Sequence, residues 1–457
     1  MKSNKLITSA LLALGLVSAA HASGTFGTTN VVYITGSTAF RPNLFAAVTQ
    51  NATAPSLFDV GTPVTSYIAG GGAANNGSSQ YNAVGKIGGN FYCISVSLTG
   101  SEAGLASLEG STIKYSVPTQ PEMTPGPTSP VTLAGTPKPT FIDPGTQAST
   151  VVVQPDLSLA DTSQAVSLSS ALSPLKDYGI VGVIPFDWAK GVNNKADDSW
   201  TNMVNVAQPQ LGTYLNNADA ASVFTGNAAD TDTVYLIGRN EGSGTRVNTL
   251  CDLVASLTKP VVQYALNTST YGGGGNVLTA PGSAATITSA STTKDNVGVH
   301  LVPVNNDGFD SGSGVKTTLN SDINGQGIIT IGYIGLSDAA GLTHATKATA
   351  GGSGQLLSLD GVDESDANIV NGTYSFWGHE HFYGLTSPTA AAALVAGNLA
   401  GSTANTQLLG FSANGAFEHN GSLSSGGGPL GNSTCIDPAL MTCDKPSGGD
   451  TGYPAPF

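Results

Sequence analysis

The stretch that most constrains this chain is Val234-Tyr-Leu-Ile-Gly-Arg239-Asn-Glu-Gly242-Ser243-Gly244-Thr245, running on into Arg246-Val-Asn-Thr-Leu-Cys-Asp-Leu-Val-Ala-Ser-Leu257. Its first residues are apolar and β-prone and predict a buried strand. Gly242-Ser243-Gly244 breaks that strand. Thr245 is placed as the N-cap of a helix whose apolar face carries Val247, Leu250, Cys251 and Val254. A glycine-rich turn entering a helix leaves backbone N–H groups without intrahelical partners at the positive end of the helix dipole. Such a turn suits an anion, and Arg239 at its rim adds a fork of charged donors. It is not a nucleotide-binding P-loop, because Gly-x-x-x-x-Gly-Lys-Ser/Thr occurs nowhere in the chain.

The pattern recurs. Val31-Val-Tyr-Ile34 runs into Gly36-Ser37-Thr38-Ala39 and a helical stretch over 43–50. A strand over 90–98 runs into Gly100-Ser101-Glu102 and a short helix over 105–108. A strand beginning at Val151 leads to Ala160-Asp161. Taken alone, Ser37 and Thr38 cap a helix and Asp161 is an N-cap or a surface turn. Glu102 is unexpected beside an anion unless it points away or serves the helix dipole.

Arg239-x-x-Gly242-Ser243-Gly244-Thr245 between a strand and a helix resembles the anion-binding loop of periplasmic phosphate-binding proteins, the soluble receptors of ABC-type phosphate importers. The other junctions follow in the order of that family, as do Ile331-Gly332-Tyr333 and Asn371-Gly372-Thr373-Tyr374, where Ser375 replaces the usual proline. The resemblance implies an α/β fold with two lobes, the type II periplasmic-binding-protein fold, each lobe a mostly parallel sheet flanked by helices with the ligand in the cleft between them. It assigns ligand contacts to Thr38, Ala39, Ser101, Asp161, Arg239, Ser243, Gly244 and Thr245. Asp161 then accepts the proton that phosphate carries near neutral pH; sulfate has none to give and meets a desolvated like charge. The expected divisions are a first lobe over 23–190, a second over 191–335, a return to the first over 336–430 and a loose tail over 431–457. Long insertions near 51–90, 111–150 and 269–298 depart from the compact family, and the one at 111–150 is Pro/Thr-rich surface chain.

The ends of the chain and its charge narrow the setting. Lys2 and Lys5 precede an apolar run and Ala20-His21-Ala22, the pattern of a signal peptide over 1–22 cleaved after Ala22, which predicts a periplasmic or secreted protein. With 30 acidic against 16 basic residues and a net charge of −14, nucleic acid is an unsuitable partner, and an anion has to be held by local dipoles against the overall field. Cys435 and Cys443 lie close together in a Gly/Pro-rich tail and are expected to form a small disulfide; Cys93 and Cys251 are expected to be buried thiols. His379-Glu380-His381 lacks a third ligand at a diagnostic spacing, so no metal is expected, and the triplet is placed at an element end. Neither a cofactor nor a catalytic residue is expected, since no Gly-x-Ser-x-Gly elbow occurs. The expectation is a monomeric solute-binding protein that takes inorganic phosphate for an ABC-type permease. Alternatives are another tetrahedral oxyanion such as arsenate or sulfate, an exported protein that kept the scaffold without transport, and a phosphatase.

Overall fold

The computed structural model describes residues 25–400 and 435–456, apart from 27–28, 50–55, 69–73, 75–76, 111–112, 118–130, 134–135, 139–148, 169, 171–172, 193–197, 215–217, 254–256, 258–260, 267–269, 272–284, 287–300, 305–307, 322–327, 340–341, 348–353, 437 and 446–454. The expected signal peptide lies outside the described residues, as do much of the Pro/Thr-rich insertion and most of 269–298.

The chain begins with β1 (Thr29–Gly36) and α1 (Arg41–Thr49). β2 (Thr65–Tyr67), β3 (Gln80–Ile87), β4 (Asn90–Ser97) and α2 (Ser101–Leu108) follow. β5 (Ile113–Val117) and β6 (Ser149–Val153) pair as a ribbon, and β7 (Leu157–Ala160) comes next. The long β8 (Lys176–Lys190) leads to β9 (Thr233–Ile237), α3 (Gly244–Asp252) and α4 (Gly312–Leu319). After them come β10 (Ile328–Gly335), the one-turn α5 (Leu336–Ala339), β11 (Gln355–Leu359), α6 (Asp366–Val370), β12 (Trp377–Gly384) and α7 (Ala390–Ala400).

These strands build a mixed sheet in the order β2-β3-β4-β1-β7-β12-β8-β10-β9, with Asp219–Ala220 outside β9 and β11 beside the end of β8. Parallel pairings lie at the centre of each half: β1 with β4 and β7 in the first, β9 with β10 in the second. β8 joins the halves. Its residues up to Pro185 pair with β12, and from Phe186 onward it pairs with β10, then also with β11. Pro185, which has no N–H to give a neighbour, falls at that exchange of partners. The expected α/β class is present, as one large mixed sheet flanked by helices. Strands buried on both faces carry near-continuous apolar runs, as in β1 and β10. One apolar cluster reaches under both halves, from Val32, Ile34 and Phe382 to Leu236, Ile331 and Tyr333. Trp188 bridges it, with its ring centroid 5.6 Å from Tyr333 and 6.0 Å from Phe376.

Several local expectations change. Ser243, not Thr245, is the N-cap of α3, because the helix begins at Gly244, two residues earlier than that cap would place it. Residues 371–376 form a turn, held by Asn371 Oδ1 accepting from the Thr373 N–H at 2.8 Å, and the strand starts only at Trp377. The first part of the insertion is not all surface: Ile113 and Tyr115 of β5 are buried against Val31 and Tyr33, with the two tyrosine rings 4.9 Å apart. Nor is the tail loose where it is described. Ile436 exchanges backbone hydrogen bonds with Val183 of β8, and the buried Lys445 Nζ reaches both carboxylate oxygens of Asp252 on α3, at 3.0 and 3.2 Å. The Cys435–Cys443 bridge is not formed: Cys435 Sγ accepts from Asn43 of α1 at 2.9 Å, while the Cys443 thiol faces the carbonyls of Ile369 and Val370 at the end of α6. Among the described residues no helix is long and apolar enough to cross a membrane.

Candidate anion-binding cleft

At the start of α3, Ser243 has extended backbone angles and its Oγ accepts from the Arg246 N–H at 3.3 Å. The N–H groups of Gly244 and Thr245, the first two helical residues, have no preceding turn to donate to. Gly244 cannot be another residue here: a Cβ would stand 1.5 Å from Asp161 Oδ1 and 2.7 Å from Ser101 Oγ. Three of the predicted positions, from three separate junctions, therefore meet at one point. Ser101 Oγ donates to Asp161 Oδ1 at 2.5 Å, and the Asp161 N–H donates back to Ser101 Oγ at 3.2 Å. Asn248 Nδ2 donates to the Asp161 carbonyl at 2.6 Å, which fastens α3 to the end of β7. The Asp161 carboxylate thus lies against the positive pole of α3, where a negative charge is stabilised.

The start of α2 is used differently from expectation. The Gly242 carbonyl accepts from the N–H groups of Glu102 and Ala103 at 3.1 and 3.4 Å, so the glycine turn before α3 occupies the first donors of α2. Gly100 permits this approach. Its φ is +106°, and a Cβ would lie 2.4 Å from the Gly242 oxygen. Glu102 points away from the cleft, accepting from the Thr162 hydroxyl at 3.0 Å and the Leu168 N–H at 2.8 Å. Burial, helped by the nearby Asp161 charge and opposed by those two hydrogen bonds, pushes its carboxyl up to about 7.

Thr38 and Ala39 arrive from the first half. The Ser37 N–H donates to the Leu159 carbonyl at 2.8 Å, and Arg41 Nε donates to the Thr38 carbonyl at 2.9 Å. Ala39 faces Gly335 at the end of β10, where a Cβ would be 3.8 Å from the alanine methyl. The turn at 37–39 and the second half therefore close on each other.

Arg239 is buried and tightly held. Nε donates to the Phe309 carbonyl at 3.1 Å and Nη2 to the Asp310 carbonyl at 2.9 Å. Its own carbonyl accepts from Arg246 Nη1 at 3.1 Å and Gln263 Nε2 at 3.2 Å, and its N–H donates to the Tyr333 hydroxyl at 3.0 Å. Tyr333 in turn donates to Gln263 Oε1 at 2.9 Å. Among the described residues Nη1 makes no hydrogen bond, which leaves its donors for a ligand. Burial lowers the pKa of the guanidinium, and the charges of Asp338 and Asp161 act against that shift.

Asp338, on α5, was not singled out by the sequence. Its carboxylate lies against Gly312 at the start of α4, where a Cβ would be 2.1 Å from Oδ2. Burial raises its pKa, while Arg41, Arg239 and Lys316 pull it down. Gly335-Leu-Ser-Asp338 is one more strand-to-helix junction, the same feature that marked the other four, and could have been found by that rule. Asn248, Gln263 and Tyr333 carry no local motif and emerge only from the packing.

The His379–His381 triplet lies within β12, not at an element end. His379 Nε2 is 3.5 Å from Asp444 of the tail, and His381 Nδ1 is 3.0 Å from Asp177 of β8. No group of three His, Cys, Asp or Glu suited to a metal ion occurs among the described residues.

The fold and this geometry define an α/β protein in which Ser101, Asp161 and Gly244, from three strand-to-helix junctions, meet at the start of α3 near a buried arginine. The chain matches no protein-family model and no curated relative. It is similar in structure to solved phosphate receptors. One is a Clostridium perfringens protein assigned as a phosphate ABC transporter substrate-binding protein and solved with phosphate bound (13% identity, 83% of this chain and 97% of that one, TM-score 0.41). Others are a phosphate-binding protein from Stenotrophomonas maltophilia (13%, 84% and 83%, TM-score 0.34) and PstS from Borrelia burgdorferi (10%, 80% and 90%, TM-score 0.30).

Proposed function

We propose that this chain is an exported solute-binding protein that captures inorganic phosphate in the cleft between its halves and delivers it to an ABC-type permease. The observation that carries this is the meeting of Asp161, Ser101 and Gly244 at the start of α3, beside Arg239. In the bound state the Gly244 and Thr245 N–H groups, the hydroxyls of Thr38, Ser243 and Thr245, the Ala39 N–H and Arg239 Nη1 donate to phosphate oxygens. The Ser101 hydroxyl turns from Asp161 to the ligand, and Asp161 Oδ1 accepts a phosphate O–H in its place. A cleft that sets a buried carboxylate among anion donors favours an oxyanion able to supply a proton.

Calorimetric titration of the mature chain with phosphate, arsenate and sulfate tests the reading. Phosphate binds and sulfate does not. Arg239→Ala weakens phosphate by about 2–4 kcal/mol, the cost of losing a desolvated charged contact. An Arg239→Ala protein that binds phosphate as tightly as the parent removes this site from consideration.

A further inference from the structure

A second carboxylate, Asp338, lies near Arg239, and the chemistry of its position is specific. Arg239 Nη2 donates to the Asp310 carbonyl at 2.9 Å, and the Asp338 carboxylate lies against Gly312, two residues further along the same turn. The charges of both Asp338 and Asp161 act on the Arg239 guanidinium against the effect of its burial. Asp338 makes neither a hydrogen bond nor a close ion pair among the described residues. The charged groups facing it are Arg41 from α1, Lys316 from α4 and Arg239 itself. Those facing Asp161 are Arg239 and the Glu102 carboxyl.

We propose that Asp338 is a second proton acceptor for the bound anion, so that the cleft takes phosphate as its dihydrogen monoanion and rejects the monohydrogen dianion. This deepens, and rests on, the phosphate reading above. A desolvated carboxylate beside a bare phosphate oxygen is a like-charge contact, and the same carboxylate beside a phosphate O–H is a charge-assisted hydrogen bond. One acceptor is satisfied by either form of phosphate, since both carry at least one O–H. Two acceptors are satisfied only by the form with two. Arg239 Nη1 and the α3 N–H groups then take the two unprotonated oxygens. The bound charge is −1, which a strongly acidic chain tolerates more readily than −2.

The experiment is calorimetric titration of the mature chain with inorganic phosphate from pH 6 to 8.5, in buffers of differing ionisation enthalpy so that proton uptake is counted. Above the second ionisation of phosphate the parent Kd rises about tenfold per pH unit, with one proton taken up per phosphate bound. In Asp338→Asn, and in Asp338→Ser as a second variant, the same span changes Kd by less than about threefold, because the dianion is admitted. Thermal melts show that both variants are folded. A parent Kd that is flat with pH, or variants that keep the full slope, overturns the second acceptor while leaving phosphate capture standing. If the parent binds no phosphate even at pH 6, phosphate capture itself is wrong and this proposal falls with it.

Discussion

Gly244→Ala tests the convergence of the three junctions most directly. The added Cβ would begin 1.5 Å from Asp161 Oδ1, so the carboxylate has to retreat by about 2 Å to reach ordinary contact. Ser101 Oγ cannot follow unchanged, because it too would be 2.7 Å from the new methyl. The Ser101–Asp161 hydrogen bond, 2.5 Å long and buried, is therefore lost or badly bent. A hydrogen bond to a charged group contributes about 1.5–3 kcal/mol, and moving the carboxylate off the helix pole costs about 0.3–1 kcal/mol more. The expected loss of stability is about 2–4 kcal/mol, with a loss of phosphate affinity of similar size, or about 30- to 700-fold. Urea denaturation reads the first quantity and calorimetry the second. Gly397→Ala is the matched control: it lies in α7 with nothing within 4 Å of its Cβ and should gain about 0.5–1 kcal/mol from helix propensity. If Gly244→Ala keeps both the parent's denaturation midpoint and its affinity, Asp161 is not where the packing places it and the proposed site loses its anchor.

Other perturbations reach different parts of the molecule. Lys445→Met removes one partner of a buried ion pair, leaves Asp252 uncompensated and should cost about 3–5 kcal/mol in urea denaturation; adding Asp252→Leu should restore most of it. Asp161→Asn should weaken phosphate and let sulfate bind, and continued exclusion of sulfate in a competition titration would show that selectivity has another source. Burial, with the charges of Asp187 and Asp366, pushes Glu364 up to about 9; burial, opposed by a hydrogen bond from Tyr374, raises Asp187 to about 7, and burial alone raises Asp366 to about 7. These folded values lie above the unfolded ones, so the folded state keeps protons that the unfolded chain releases. The stability they allow is complete only below about pH 4 and is lost as pH rises, through about 7 for the two aspartates and about 9 for Glu364. The denaturation midpoint should therefore fall between pH 5 and 7.5, and Glu364→Gln should reduce that fall; equal slopes in parent and variant would remove Glu364 from the account.

Where the candidate site is built from local sequence, its elements could be read. The strand at 233–237, the glycine turn and α3 all follow from apolar periodicity and helix-start chemistry, and Arg239 stands out as the cation between the strand and the turn. Asp161 and Ser101 were found by the same junction rule, although nothing in their own neighbourhoods says that they touch. What escaped was pairing across long separations. The capping of α2 by the Gly242 carbonyl depends on two loops more than a hundred residues apart, and no spacing rule reports it. The cage of Tyr333 and Gln263 around Arg239 is likewise a product of packing. The tail was misread for a compositional reason: glycine and proline surround Ile436 and Lys445, and polar turn residues conceal the few side chains that dock.

That docking has a consequence for how the scaffold is assembled. The counter-charge for Asp252, on the helix that begins at Gly244, comes from Lys445, 193 residues further along the chain. β12 likewise lies between β7 and β8, although both precede it in the chain. The turns that meet at Asp161 therefore take their final arrangement only once segments far downstream have docked.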